Sequence, residues 1–141
     1  MAKTNSVLKL EELVFDKIKF DRKGFKNSNQ IKYALETLLS KDESEKLYRV
    51  SLILKGKKKD EYNIEIGISG FFSFNDNSFV DETEKDEIIE KNCIAILIPY
   101  LRSQLSMLTC QPGVECEYLP IINVNALYRA DIAKPTSEQN E

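Results

Sequence analysis

Two stretches of alternating apolar residues constrain this chain more than anything else in it. In LYRVSLILK, Tyr48, Val50, Leu52 and Leu54 share one face of an extended chain. In YNIEIGISGFFSF, Tyr62, Ile64, Ile66, Ile68, Phe72 and Phe74 share a face, while Asn63, Glu65, Gly67 and Ser69 point the other way. A period of two over runs this long is the signature of half-buried strands. The charged stretch GKKKDE between them reads as a short turn, so the pair forms a β-hairpin. Such a hairpin implies an antiparallel sheet with one dry and one wet face.

The dry face needs a cover, and residues 93–109, CIAILIPYLRSQLSMLT, supply one. At about 100° per residue, Ile94, Leu97, Ile98, Leu101, Leu105 and Leu108 fall in one stripe, about the width of a core-facing helix face. Burying them contributes on the order of 10–15 kcal/mol as an upper estimate. An interior proline costs about 3 kcal/mol. Pro99 therefore kinks the helix or starts a fresh one, without destroying the segment. Arg102 falls on the flank, where solvent, a carboxylate or a helix-end carbonyl is within its reach.

The same helix is apolar on its other side as well. Ile96, Tyr100 and Met107 gather roughly opposite the stripe, with small Ser103 between them. A helix apolar on two sides is buried on two sides. A chain this short has little left to cover the second one, which favours self-association in a symmetric oligomer through Ile96, Tyr100, Ser103 and Met107. The competing reading is that the C-terminal segment folds over that side.

Elsewhere the signals are weaker. In LVFDKIKFDR (13–22), Val14, Ile18 and Phe20 share one face and Phe15, Lys17, Lys19 and Asp21 the other, with Asp16 interrupting the first. That reads as a strand. Within residues 23–46, QIKYALETLLS (30–40) fits a strand edge or a short helix, and the whole reads as a long irregular connection anchored by Ile31, Tyr33, Leu35 and Leu38. Connections of that length in a small domain are often functional. After Thr109 come a turn at Gln111-Pro112-Gly113, an extended EYLPIINV and a short helix NALYRADIA. The expected organisation is a flexible N-terminus over 1–9, one domain over 10–130 and a polar tail over 131–141.

Composition removes several function classes. The chain has 141 residues and a net charge of −3, with Lys and Arg scattered among the acids. That argues against nucleic acid as the main partner, because phosphate binding needs a concentrated basic face. The acidic run DETEKDEIIE (81–90) reads as a solvated helix face. There is no histidine, which removes Ser-His and Cys-His nucleophiles and most zinc sites. Cys93, Cys110 and Cys116 form no CxxC pair and read as free thiols. No phosphate-binding glycine loop or metalloprotease motif occurs, so no catalytic residue, metal or cofactor is assigned. With no signal-peptide core and no span-length apolar run, the expectation is a cytoplasmic protein without membrane insertion.

The order of these segments, with Cys93, Pro99, Tyr100 and Arg102 in the helix, Gly70 and Phe72 ending the hairpin, and Leu119, Asn123, Ala126, Leu127 and Tyr128 beyond, resembles the protein-export chaperone SecB and its relatives. The resemblance implies an α+β fold with a four-stranded antiparallel sheet, a long helix packed on one face and a short C-terminal helix. It also implies a homotetramer built as a dimer of dimers. The implied activity is that of an ATP-independent holdase, not an enzyme. Its clients would be unfolded polypeptides, either preproteins bound for the Sec pathway or an antitoxin.

A holdase needs apolar grooves that tolerate many sequences. The expected lining is Phe25, Ile31, Tyr33, Leu35, Phe71, Leu127 and Tyr128. SecA docking on acidic positions of the open sheet face would fall on Asp21 and Glu65, although Lys17 and Asn63 depart from the pattern expected there. The alternative is a scaffolding homo-oligomer that binds no client.

Overall fold

The computed structural model describes residues 8–42, 47–74 and 82–119. Four strands, β1 (Leu8–Arg22), β2 (Ile31–Asp42), β3 (Leu47–Lys58) and β4 (Tyr62–Phe74), precede one helix, α1 (Glu82–Thr109). The strands form a single antiparallel sheet in the order β1-β4-β3-β2. The expected turn between β3 and β4 is there. Lys58 pairs with Tyr62, Asp60 takes a φ of 63°, and the Glu61 N–H donates to the Lys58 carbonyl at 3.0 Å. Aspartate tolerates that left-handed conformation better than most residues.

The hairpin's inner residues build the core. Tyr48, Val50, Leu52, Leu54, Ile64, Ile66, Ile68 and Phe72 are all buried, and Ile94, Leu97, Ile98, Leu101 and Leu105 pack onto them. The helix lies on β4, β3 and β1. At its closest approach stands Gly70. A methyl group added there would meet a Leu97 methyl at 2.8 Å and the Phe72 ring at 2.7 Å. α1 runs through Pro99 as one continuous helix instead of starting afresh after it. Proline leaves the carbonyl four residues earlier without its partner. Here that residue is Ala95, and both Ala95 and Pro99 are on the exposed side.

Two sequence expectations are corrected. The connection over 23–46 contains β2, a regular strand whose twelve residues all pair with β3. Its inward residues are Ile31, Tyr33, Leu35, Thr37 and Leu39, so Leu38 is no anchor: it is 57% exposed on the opposite face. In β1 the register shifts between Phe15 and Lys17. This bulge at Asp16 turns Phe15 inward to join Ile18 and Phe20, and Val14 pairs with Ser69 on the open face. β1 also starts at Leu8, which is buried, inside the stretch expected to be flexible.

Residues 110–119 return along the flank of α1. They begin with the expected turn, closed by a Val114 N–H to Gln111 carbonyl bond of 3.1 Å and by Gly113 at a φ of 81°. Cys110 and Cys116 are joined in a disulfide across it, correcting the free-thiol expectation for that pair, and Cys93 is a free thiol in the core. Arg102 finds its partner here: its Nε donates to the Leu119 carbonyl at 3.4 Å. Ser106 donates to the Glu117 carbonyl at 3.3 Å, and the Glu117 N–H donates to the Thr109 hydroxyl at 2.8 Å. Arg22 ties the far end of β1 to the same turn, donating to the Gly113 carbonyl at 3.2 Å.

Gly70→Ala is expected to destabilise the fold by about 1–3 kcal/mol through overpacking against Leu97 and Phe72. Chemical denaturation monitored by circular dichroism checks this; an unchanged midpoint would show that the helix does not sit that close to the sheet.

Candidate functional site

Among the described residues the sheet is four strands wide and one helix reaches chiefly three of them; the short helix expected in NALYRADIA lies outside the described residues. The inward residues of β2 therefore form a margin that the helix leaves half-covered: Ile31, Tyr33, Leu35 and Leu39 pack against the core only in part. The loop from β1 to β2 crosses the sheet at the Ile31 end and carries Phe25, which is 88% exposed. That loop is held by specific bonds. The Lys23 and Gly24 N–H groups donate to the Glu61 carbonyl at 2.6 and 3.0 Å. Asn27 and Asn29 side chains donate to the Lys59 carbonyl at 3.1 and 2.8 Å. A large exposed aromatic on an anchored loop is presented to solvent, not stored against the core.

A polar cluster lies beneath the margin. Lys58 and Glu61 form a buried ion pair at 3.0 Å, with side chains 2% and 0% exposed. The Asn27 N–H donates to the same Glu61 oxygen at 3.1 Å, while the other oxygen, Oε2, has no hydrogen-bond partner among the described residues. The Tyr33 and Tyr62 hydroxyls are likewise buried without one. Desolvation, then the nearby Glu117, pushes the Tyr33 hydroxyl well above its ordinary range. The same two causes, followed by Glu61 and Glu115, push Tyr62 up to about 12. Burial also raises the carboxyl of Glu117, and Glu115 and Glu61 add to this while Lys58 opposes it. Both phenols therefore stay neutral donors, and the margin is apolar at its rim and polar underneath.

The remaining sites fall elsewhere. Phe71 is on the opposite, open face of the sheet, half-buried under the Arg49 guanidinium, whose carbon lies 5.4 Å from the ring centroid. It cannot line one groove with Ile31, Tyr33 and Leu35. Leu127 and Tyr128 lie outside the described residues. On the outer side of α1, Tyr100 is 46% and Met107 69% exposed, Ser103 is exposed and Ile96 half-buried. The returning segment 115–119 covers the Arg102–Ser106–Thr109 flank and leaves Tyr100 and Met107 open.

Asp21 and Glu65 are on the open sheet face, and each is held by a lysine: Lys23 at 3.2 Å and Lys17 at 3.3 Å. At the centre of that face, Ser69 donates to Asp16 and is 2.7 Å from the Ser51 hydroxyl. Arg49 bonds Asp16 at 3.4 Å. Sequence reading missed this network because Asp16 reaches it only through the bulge.

The family model for SecB, preprotein translocase subunit SecB, matches residues 10–135, nearly the whole chain. The chain belongs to the SecB family. A relative in Methanocaldococcus jannaschii, the uncharacterized protein MJ0357, is 26% identical over 98% of this chain and 88% of its own length. Among solved structures, the fold matches the Mycobacterium tuberculosis SecB-like chaperone Rv1957, in complex with a ChAD peptide from the HigA1 antitoxin. The TM-score is 0.65 at 15% identity, over 82% of this chain and 91% of that one.

SecB membership accounts for the order of the sheet and helix. No helix among the described residues is long and apolar enough to cross a membrane.

Glu117 supplies a pH test. A carboxyl whose pKa is raised on folding holds its proton more tightly folded than unfolded. Stability is then greatest below the ordinary value of 4.5 and declines as pH rises through it toward the raised folded value. Glu117→Gln is expected to raise the melting temperature at pH 7 and to flatten this decline. An unchanged pH profile in the variant would show that Glu117 is fully solvated.

Proposed function

We propose that this SecB-family protein is an ATP-independent holdase that binds non-native polypeptide along the β2 margin and the Phe25 loop. The observation that carries this reading is the mismatch between sheet and cover. Ile31, Tyr33, Leu35 and Leu39 are half-covered beside a fully presented Phe25. Aromatic and branched side chains on an open ledge offer area without demanding one partner geometry. Leu127 and Tyr128 belong to the same proposed surface by family resemblance. The client is an unfolded chain, whether a preprotein on its way to the Sec machinery or an antitoxin. The antitoxin peptide bound to the Mycobacterium tuberculosis relative supports the second kind of client. Asp21 and Glu65, each paired with a lysine, are the positions proposed for SecA.

Aggregation of a denatured model client, followed by light scattering, tests the reading. The protein at stoichiometric amounts suppresses the signal, and Phe25→Ser with Leu35→Ser weakens suppression several-fold while circular dichroism stays unchanged. Each of these side chains contributes roughly 1.5–3 kcal/mol when fully buried against a client. No suppression by the unaltered protein would sink the proposal and favour a scaffolding role.

The second part of the proposal is assembly. Ile96, Tyr100, Ser103 and Met107 form a helix-to-helix contact between copies, in a homotetramer arranged as a dimer of dimers. Tyr100→Asp with Met107→Asp places charges in that contact and lowers the mass measured by multi-angle light scattering. A monomer in the unaltered protein at micromolar concentration would overturn it.

A further inference from the structure

On the open face, through the sheet from the apolar margin, lysines stand in strand-spaced columns. Lys17 and Lys19 project from β1, and Lys55 and Lys57 from β3. Between them β4 contributes Asn63, Glu65 and side-chain-free Gly67. With strands roughly 4.8 Å apart, the lysine columns stand roughly 10 Å apart, and within a column the spacing is roughly 6.8 Å. Lys32 on β2 faces Lys57 directly. Like charges placed opposite each other on a sheet are destabilising, and nothing in the structure relieves this pair: among the described residues Lys19, Lys32 and Lys57 enter no ion pair. A depression of about 450 Å³ opens here, lined by Lys19, Lys32, Lys55 and Lys57 with Asp21 and Glu65. The acids do not cancel the lysines. Glu65 is engaged by Lys17, and Glu36 meets Lys55 only at 3.8 Å, with both side chains more than half exposed.

We infer that this trough docks an acidic, extended polypeptide segment of a protein partner, its alternate carboxylates meeting the lysine columns along β4. An extended chain repeats its side chains on one face at the same interval as the lysines, so the match is geometric as well as electrostatic. A nucleic acid fits less well. Its uniform phosphate charge would meet Asp21 and Glu65 within the same depression, and tight phosphate binding uses more cations than this patch offers. The lysine side chains and the client-binding side chains are on opposite faces of the sheet, with Tyr33 bordering both; this inference does not rest on the holdase reading, and it competes with SecA for the face that carries Asp21 and Glu65.

The test uses the full chain and a fluorescent peptide of alternating Glu and Thr, read by anisotropy. The protein carries a net charge of −3, so its overall field disfavours an acidic peptide and binding reports a local site. Lys32→Glu with Lys57→Glu is expected to weaken binding about tenfold or more. Lys9→Glu with Lys26→Glu, an equal charge change at exposed positions outside the trough, leaves it unchanged. Binding falls steeply with added salt. Suppression of client aggregation stays intact in the Lys32→Glu with Lys57→Glu variant, which separates failure here from failure of the chaperone reading. Equal binding of the neutral peptide in which Gln replaces every Glu, equal loss in the two variants, or binding of a single-stranded oligonucleotide in place of the peptide would each overturn the inference.

Discussion

The sheet's inner face has more apolar surface than one helix can cover. Nine buried apolar residues of β3 and β4 fix the helix over the centre through Leu97, Leu101 and Leu105, as expected for a stripe about 100° wide. What lies beyond that stripe is left at the margins. The half-covered β2 residues and the exposed Ile18 on β1 both follow from one mismatch in width. Among the described residues no second helix covers that margin.

The centre of the fold was legible because β3 and β4 carry clean alternation and α1 carries a clean stripe. The edges were not. In β2, Ile31, Tyr33 and Leu35 keep the right phase, but Ala34 and Leu38 place apolar side chains on the other face, and the alternation dissolves. Ala, Leu, Glu and Lys also favour helix in isolation. Pairing all along β3 overrides that preference. In β1 the interruption at Asp16 was visible, but a bulge and a merely imperfect strand look alike until the partner strand is known. The candidate residues Ile31, Tyr33 and Leu35 were named for their place in a connection, and they turn out to share a strand. Phe71, expected in the same lining, is out of phase with the inward residues of β4 and lies on the far face beneath Arg49.

The buried charges were invisible to pattern reading. GKKKDE looks like an ordinary solvated turn, yet Lys58 and Glu61 are both drawn inside. Lys58 is the last inward position of β3 and cannot face water without breaking the pairing with Tyr62. A buried cation needs a counter-charge, and removing one partner of such a pair typically costs about 3–5 kcal/mol. Glu61 fills that need while its carbonyl and carboxylate anchor the loop that carries Phe25. The ion pair thus orders the presenting loop from below.

The return of residues 115–119 along α1 is fastened by Arg102, Ser106 and Thr109 at three successive turns of one flank. These fasteners are side chains reaching to main-chain atoms, unlike the ladder that holds the strands together. The strap's position is accordingly written in helix residues that take no part in the hydrophobic layer. Evolution can loosen, shift or retie it by changing three polar letters, leaving the body of the protein as it was.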